Sequence, residues 1–285
     1  MSGNHLQLPV ELYQPIVSHL PSPKYRTDHL ALATCSKALY AAVIRELYHT
    51  IELRDRLTTD LFLQRVTADG GIPEIATFVR GLILVLEMSD REEVVQRVLG
   101  TLSIFHNLKS FEIRGIGAEE RKTQPIYLTS GALEEPRFKL DHLRLNLSFV
   151  LDNAIVNFLN WHHNTLTVLE VWYPISPEPD SDDEEEFISP QLPVLEALAA
   201  PGIYLAWFME NDRCKPTKIC DIDDSMRHRA PGLHERTQTL TSWTTRDCLG
   251  PIDWMPPSAF ASLQLVRLLV KYGREVMYLF LVHLA

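Results

Sequence analysis

The sequence lacks the features that mark a membrane-spanning or secreted protein. Its longest apolar run, residues 276–285, has only ten residues, roughly half of the about 20 that a helix needs to cross a bilayer. The first residues, MSGNHLQLP, include neither the basic region nor the apolar run of a signal peptide. We therefore expect a soluble protein of the cytoplasm, the nucleus or both, with no membrane partner.

Cysteine is scarce and follows no ligand pattern. The four cysteines, Cys35, Cys214, Cys220 and Cys248, have neither the spacing of a zinc site nor that of a disulfide framework. No His pair lies near Cys214 and Cys220 to complete a tetrahedral site. We expect free thiols in a reducing compartment, no metal and no cofactor.

A clustered basic surface is also missing, although the net charge of -10 is strongly uneven. Residues 178–187, EPDSDDEEEF, hold seven carboxylates, and the rest of the chain is close to neutral. We therefore expect no nucleic-acid partner, because phosphate binding needs a clustered basic surface. Carboxylate repulsion and flanking prolines predict a disordered insertion over residues 174–190. It is either a solvated insertion or a site for an acidophilic kinase at Ser181.

Recognisable catalytic motifs are absent: the chain contains no HExxH, GxSxG or GxxxxGK[ST]. His162 and His163 are adjacent, and neighbours on a helix point about 100° apart, so they cannot easily share a metal ion. We expect a non-catalytic protein. A (β/α) enzyme stays open as an alternative, because βα repeats can also close into a barrel.

What the sequence does have, first, is a leucine-rich stretch of about fifty residues at its N-terminus. Leu12, Ile16 and Leu20 recur every four residues and predict one face of a helix. Asp28 is a candidate N-cap for a second helix and Ser36 for a third. The third helix carries two adjacent apolar stripes: Leu39, Val43 and Leu47, and Tyr40, Ile44 and Tyr48.

These stripes form an apolar face that is too wide for a small three-helix unit to bury within itself. An uncovered face of that size indicates an interaction site. The alternative is a helical cap that packs on the following domain.

Second, the sequence has a repeat of the form L-x-x-L-x-L. Its matches begin at Val79, Leu108, Leu140, Leu166 and Leu192, separated by 29, 32, 26 and 26 residues, and one more begins at Leu263. Fainter matches lie at 218–222 and 237–243. Helical stretches at 91–105 and 153–161 fall between clear matches. Alternating short strands and helices predict an α/β repeat fold.

The repeat also predicts which side chains share a face of the sheet. Positions four and six point into the core, so positions five and seven lie on the opposite side. Position five reads Glu112, Arg144, Glu170 and Glu196, and position seven reads Arg114, Asn146, Trp172 and Leu198. Opposite charges should therefore lie on neighbouring strands. Trp172, beside Tyr173, is a candidate exposed anchor for a partner, or it packs on its own flanking loop.

The N-terminal residues resemble the F-box motif, through Leu8-Pro9-x-Glu11-Leu12, Ile16, Leu20, Leu30, Cys35-Ser36-Lys37 and Leu39. The segment Leu47-Tyr48-x-x-Ile51-x-Leu53 resembles the form common in fungal F-box proteins. Two departures are Pro15 within the first helix and Leu39 where an aromatic residue is frequent. The resemblance implies that the helices dock on the Skp-family adaptor of a Skp–cullin–F-box ubiquitin ligase, and through it on cullin.

The resemblance carries over a set of adaptor-binding residues: Leu8, Pro9, Leu12, Ile16, Leu20, Leu30, Cys35, Lys37, Leu39 and Leu47. It implies that the rest of the chain binds a protein substrate. The candidate substrate-binding residues are Glu112, Arg114, Arg144, Asn146, Glu170 and Trp172.

The remaining chain resembles leucine-rich repeats, although the Asn or Cys expected at position nine is replaced by Ile116, Ser148, Pro174 and Ala200. The predicted organisation is an F-box-like helical module over 1–53 and a leucine-rich-repeat-like domain over 54–285. Together they would form an α/β solenoid with an irregular horseshoe. The chain ends on an apolar segment without a polar cap, so we expect partial exposure of Leu279 and Phe280.

Overall fold

The computed structural model describes residues 9–20, 26–67, 74–86, 91–115, 125–128, 136–175, 189–210, 214–221, 242–246, 265–272 and 275–281. Its helices are α1 (Tyr13–Ser18), α2 (Arg26–Cys35), α3 (Lys37–Leu47), α4 (Arg56–Thr67), α5 (Glu74–Phe78), α6 (Arg91–Thr101), α7 (Asn153–Trp161) and α8 (Gly202–Glu210). Single 3-10 turns, Val10–Leu12 and Leu102–Ile104, precede α1 and follow α6.

The strands are β1 (Thr50–Leu53), β2 (Gly81–Leu86), β3 (Ser110–Gly115), β4 (His142–Val150), β5 (Val168–Ile175), β6 (Ala197–Ala200), β7 (Lys218–Asp221), β8 (Ser242–Arg246), β9 (Leu265–Tyr272) and β10 (Glu275–Leu281). They form a single sheet in chain order. Strands β1 to β9 are parallel, and β10 pairs antiparallel with β9. The predicted α/β character is confirmed.

Strands β2 to β5 bury the side chains at repeat positions four and six. The buried strand residues at positions four and six are Leu82, Leu84, Phe111, Ile113, Leu143, Leu145, Leu169 and Val171. They belong to one apolar cluster with residues of α4 to α8. Because alternate strand residues point to opposite faces, these helices cover one face of the sheet and leave the other uncovered by them.

The two predicted helices between repeats are present. Residues 91–105 form α6 and its 3-10 extension, and residues 153–161 form α7. Helix α7 is capped by Asp152, whose carboxylate accepts a hydrogen bond from Ile155 N at 3.0 Å. The long apolar face of α7 places Ile155, Phe158 and Leu159 in the core.

The strand register confirms four repeat positions and corrects the fifth. Gly81, Ser110, His142 and Val168 are in register, as the matches beginning at Val79, Leu108, Leu140 and Leu166 require. Val168 then pairs with Ala197, so the next repeat is three residues later than predicted. Both Leu192 and Leu195 are buried, which explains why the sequence pattern alone chose the wrong one.

The weaker matches in the C-terminal part also correspond to strands. Residues 218–222 overlap β7, residues 237–243 overlap β8, and the match beginning at Leu263 leads into β9. Ile219, Trp243 and Val266 are consecutive partners across these strands. Parallel strand pairing therefore continues through β9, although the sequence matches are faint at β7 and β8.

Three N-terminal helices are present, but α1 is shorter than predicted: of Leu12, Ile16 and Leu20, expected on one helix face, only Ile16 lies within it. Ser36 caps α3, and its hydroxyl accepts a hydrogen bond from Leu39 N at 3.1 Å. Asp28 was wrongly predicted as the N-cap of α2: that helix begins at Arg26, so Asp28 lies in its first turn, where a negative charge still favours the helix dipole. Pro15 is the third residue of α1, where its missing N–H needs no intrahelical partner.

Helices α1, α2 and α3, which we call the helical segment, are joined to the sheet through β1. Ile51 and Leu53 pair with Leu82 and Leu84, so the residues that resemble the end of a fungal F-box also form the first strand. His49 O accepts hydrogen bonds from the N–H groups of residues 80 and 81, at 2.8 and 2.9 Å. A Cβ at Gly81 would lie 3.1 Å from Thr50 Oγ1, so glycine permits this close approach.

Some predictions lie outside the described residues. The acidic insertion was assigned to 174–190; β5 extends to Ile175, and 176–188 are not described. Leu8 and the side chains of Leu279 and Phe280 are not described either. In the part of the chain that is described, no helix is long and apolar enough to span a bilayer.

Candidate functional site

The N-terminal candidate residues are mostly at the surface. Pro9, Leu12, Ile16, Leu30, Cys35 and Lys37 are exposed, whereas Leu20, Leu39 and Leu47 are half-buried. The large side chains among them are well exposed: Leu12 by 44%, Ile16 by 39% and Leu30 by 53%. We call Pro9, Leu12, Ile16 and Leu30 the exposed apolar set.

The core of the helical segment is too small to cover this set. Val17, Ala42 and Val43 are its buried apolar residues, and Leu39 and Leu47 pack against them. Helix periodicity explains the result: residues 13 and 17 of α1 face α3, so the adjacent stripe with Leu12 and Ile16 faces outward. The wide apolar face that was predicted on α3 is not the exposed one: Tyr40 is exposed, but Leu39, Ile44 and Leu47 are half-buried, Val43 is buried, and Tyr48 packs against the core below the sheet.

On the sheet face that is opposite to helices α4 to α8, four charged side chains form a continuous network, which we call the charge ladder: Glu112, Arg114, Arg144 and Glu170. Arg144 bridges two strands, with its guanidinium 3.1 Å from Glu112 Oε1 and 2.6 Å from Glu170 Oε1. Arg114 donates two hydrogen bonds to both oxygens of Glu112. The predicted alternation of charge across β3, β4 and β5 is therefore present.

Glu196 is not part of the charge ladder, contrary to the prediction. The residue in register with Glu170 on β6 is Ala199, because this repeat begins three residues later. Glu196 is exposed and precedes the strand. Its carbonyl accepts backbone hydrogen bonds from Thr217 and Lys218.

The ion pairs determine how the charge ladder titrates. Burial raises the pKa of Glu112, but hydrogen bonds and charges from Arg114 and Arg144 outweigh burial, and the net pKa is lowered. The hydrogen bond to Glu170 raises the pKa of Arg144 against the effect of desolvation. The hydrogen bond to Glu112 likewise raises the pKa of Arg114, so these shifts favour the ionised forms of Glu112, Arg114 and Arg144.

Asn146 and Trp172 lie at one end of the charge ladder, at an irregularity of the sheet. Leu145 pairs with Val171 and Ser148 with Tyr173, so β4 carries one extra residue between these pairs. Both Asn146 and Trp172 are half-buried. Trp172 is thus less open than the exposed anchor that the sequence suggested.

The sequence analysis did not identify β1 as the first strand of the repeat, nor Glu52 as one of its residues. Glu52 on β1 is in register with Ile83 of β2, and it accepts a hydrogen bond from Arg54 at 2.9 Å. The signal was available, because Tyr48-x-x-Ile51-x-Leu53 has the spacing of the repeat. That spacing was assigned to the F-box resemblance instead, so this strand was not counted among the repeats.

The histidines considered as candidate metal ligands make structural contacts instead. His162 is buried and its Nδ1 accepts a hydrogen bond from Leu140 N at 3.2 Å, while His163 Nδ1 lies 2.7 Å from Asn160 O. Burial lowers the pKa of His162 to about 3. Cys35, Cys214 and Cys220 are free thiols, and burial raises the pKa of Cys214 to about 12.

Within the described ranges, no group of three or more His, Cys, Asp or Glu side chains is placed to hold a metal ion. No protein-family model matches the chain. No curated protein matches it at a significant level either.

Proposed function

We propose that the chain is the substrate-recognition subunit of a Skp–cullin–F-box ubiquitin ligase. The helical segment docks on a Skp-family adaptor. The rest of the chain, strands β1 to β10 with helices α4 to α8, is called the sheet domain; it forms an irregular leucine-rich-repeat horseshoe and presents a protein substrate. Transfer of ubiquitin takes place elsewhere in the assembly, so this chain contributes no catalytic residue.

The observation that carries the proposal is the exposure of the exposed apolar set on helices whose own core is small. Leu12 ends the 3-10 turn that precedes α1, Ile16 lies on α1 four residues later, and Leu30 lies on α2. Exposed apolar side chains are stabilised by burial against a partner, at about 25 cal/mol per Å² removed from water. The F-box resemblance covers these same residues.

The order of the elements supports a receptor with two binding regions. Helices α1 to α3 precede β1, which is the strand at one end of the sheet. Between α3 and β1, His49 O accepts hydrogen bonds from the N–H groups of residues 80 and 81. The parallel part of the sheet then extends over nine strands, from β1 to β9. Arg114 and Arg144 keep 40% and 43% of their side chains exposed while paired to carboxylates.

A self-neutralised charge ladder favours a particular kind of substrate contact. Its guanidinium groups are already fixed by carboxylates, so a partner meets a rigid polar surface that has no net charge. Such a surface contributes hydrogen bonds and shape rather than long-range attraction. We expect substrate binding to depend only weakly on salt.

The experiment that tests the proposal measures the affinity of the full chain for a purified Skp-family adaptor by calorimetry. The variant Ile16→Asp introduces a charge within the exposed apolar set. The matched control Leu57→Asp makes the same change on α4, where Leu57 is 68% exposed and lies outside the helical segment.

We expect wild type and Leu57→Asp to bind alike, and Ile16→Asp to lose at least about tenfold in affinity, because a charge is left against an apolar partner. Circular dichroism must show that both variants are folded. No binding by folded wild type would eliminate the ligase proposal and leave a leucine-rich interaction scaffold. Equal loss in both variants would remove the exposed apolar set as the docking surface.

A further inference from the structure

A buried histidine lies between the first two helices. His29 on α2 is fully buried, although a histidine is costly in a core this small unless its nitrogens are bonded. Its Nε2 lies 3.3 Å from Val17 O, the carbonyl next to the last residue of α1. Its Nδ1 is buried and has no hydrogen-bond partner among the described residues.

This contact fixes the tautomer that the ring must adopt. A carbonyl oxygen only accepts, so Nε2 carries the proton and donates, and Nδ1 in the neutral ring is an acceptor without a donor. The arrangement stabilises one hydrogen bond and leaves one buried polar atom unsatisfied. An apolar side chain such as leucine would avoid this cost, so we expect the hydrogen bond to have a role beyond stability.

That role follows from how α1 is held. Helix α1 has only six residues, and its packing partner is α3 through Val17 and Val43. Among the described residues, the hydrogen bond from His29 is the one that joins α1 to α2. Since Val17 and Ile16 are adjacent, a constraint on Val17 O also constrains the direction of Ile16.

We propose that His29 is a positioning residue for the docking surface: its ring ties the C-terminal end of α1 to α2 and so fixes Leu12 and Ile16 relative to Leu30. This inference rests on the proposed function for its consequence in adaptor binding. Its geometric part, the constraint on α1, does not depend on the adaptor.

Two substitutions separate positioning from simple stability. His29→Leu removes the donor and also the unsatisfied nitrogen, and Val17 O keeps its backbone hydrogen bond from Leu20 N at 3.0 Å. His29→Gln keeps an N–H donor on a side chain of similar length. His106→Leu, at an exposed histidine outside the helical segment, is the matched control.

Two measurements are made on the full chain: hydrogen exchange of the α1 amides, and affinity for the purified Skp-family adaptor. For His29→Leu we expect an unchanged unfolding midpoint, faster exchange in α1 and about tenfold weaker adaptor binding, the size of one lost hydrogen bond. For His29→Gln we expect both properties to approach those of wild type, and for His106→Leu no change.

Unchanged α1 exchange and unchanged affinity in His29→Leu would overturn the inference. So would a loss of unfolding midpoint that accounts for the loss of affinity and that His29→Gln does not rescue. If wild type fails to bind the adaptor, the proposed function fails, and the exchange measurement alone still decides whether His29 holds α1.

Discussion

The helical segment and the sheet domain are both rich in leucine, yet they bury different shares of their apolar side chains. The sheet domain gathers most of its leucines into one core that extends from Leu53 to Ile219, although Leu57 and Leu61 of α4 are exposed. Among the described residues of the helical segment, the buried apolar side chains are Val17, Ala42 and Val43. Leu12, Ile16 and Leu30 are exposed over a much shorter length of chain.

Both regions keep a buried histidine with an unsatisfied nitrogen, His29 in the helical segment and His162 in the sheet domain. The sheet domain also pairs charges across its strands, as in the charge ladder, where Arg144 contacts both Glu112 and Glu170. The proposal that a partner completes the helical segment therefore rests on the exposed apolar side chains of that segment.

The largest effect should come from acid, through His162 in the sheet domain. Its pKa is about 3 when folded and ordinarily 6.5, so the unfolded chain binds the extra proton between these values. Stability is fully present above pH 6.5 and falls as the pH drops toward 3, by up to about 4 kcal/mol. Denaturant unfolding across this range should show the loss.

The variant His162→Gln tests the assignment, because glutamine does not titrate. Its stability should change less between pH 6.5 and pH 3 than that of wild type. His163→Gln, one residue away, should retain the wild-type loss because His162 is still present. The same pH dependence in His162→Gln and in wild type would contradict the assignment.

The next effect compares the core of the sheet domain with its surface. Leu143 on β4 lies at a small apolar cavity that is also lined by Phe111 and Phe158. Leu143→Ala should therefore enlarge a void and lower the free energy of unfolding by about 3 kcal/mol. Leu57→Ala, at an exposed leucine on α4, should cost about 0.5 kcal/mol or less. Equal costs in urea unfolding would contradict the described core.

A smaller effect is expected from the charge ladder. Arg144→Met removes the bridge and leaves Glu112, which is only 8% exposed, with Arg114 alone. We expect a loss of about 2 kcal/mol, because a partly buried carboxylate loses a partner, and exposure of the guanidinium limits the loss. Arg97→Met, in the exposed network with Asp60 and Glu93, is the matched control.

Urea unfolding of both variants checks this prediction, with no resolvable change expected for Arg97→Met. The loss in Arg144→Met should shrink in acid, where Glu112 becomes protonated: its folded pKa is lowered, so its contribution is present above the unfolded pKa and disappears as the pH falls. A loss that is independent of pH would point to packing of the arginine stem instead.

The smallest effect concerns the start of α3. Ser36→Ala removes the side-chain acceptor for Leu39 N and should destabilise α3 by about 1 kcal/mol. Hydrogen exchange of the α3 amides is the measurement. Ser36→Asp restores an acceptor and should return the exchange toward wild type; if it does not, the cap is not the cause.

Much of the fold could be predicted from local patterns. The spacing around Phe111, Leu143 and Leu169 identified the strands and their inner faces, because a side-chain period of two is visible in sequence. It also placed Glu112, Arg144 and Glu170 side by side. The register of β6 could not be predicted, since Leu192 and Leu195 are equally apolar and only strand pairing distinguishes them.

Other features needed the three-dimensional structure. The contact of His29 with Val17 joins residues from two helices, and no spacing in the sequence reveals it. The bulge in β4 next to Trp172 changes how that side chain is buried, and local propensity does not predict it. The spacing from Tyr48 to Leu53 matches the repeat and could have been recognised in the sequence, but these residues were assigned to the F-box-like module.

The central claim is that the helical segment is completed by an adaptor, and hydrogen–deuterium exchange of the full chain with and without a purified Skp-family adaptor tests it most directly. We expect added protection in α1, α2 and α3, with the strands from β2 to β7 unchanged. Protection confined to the sheet strands, or no protection at an adaptor concentration well above that of the chain, would contradict it.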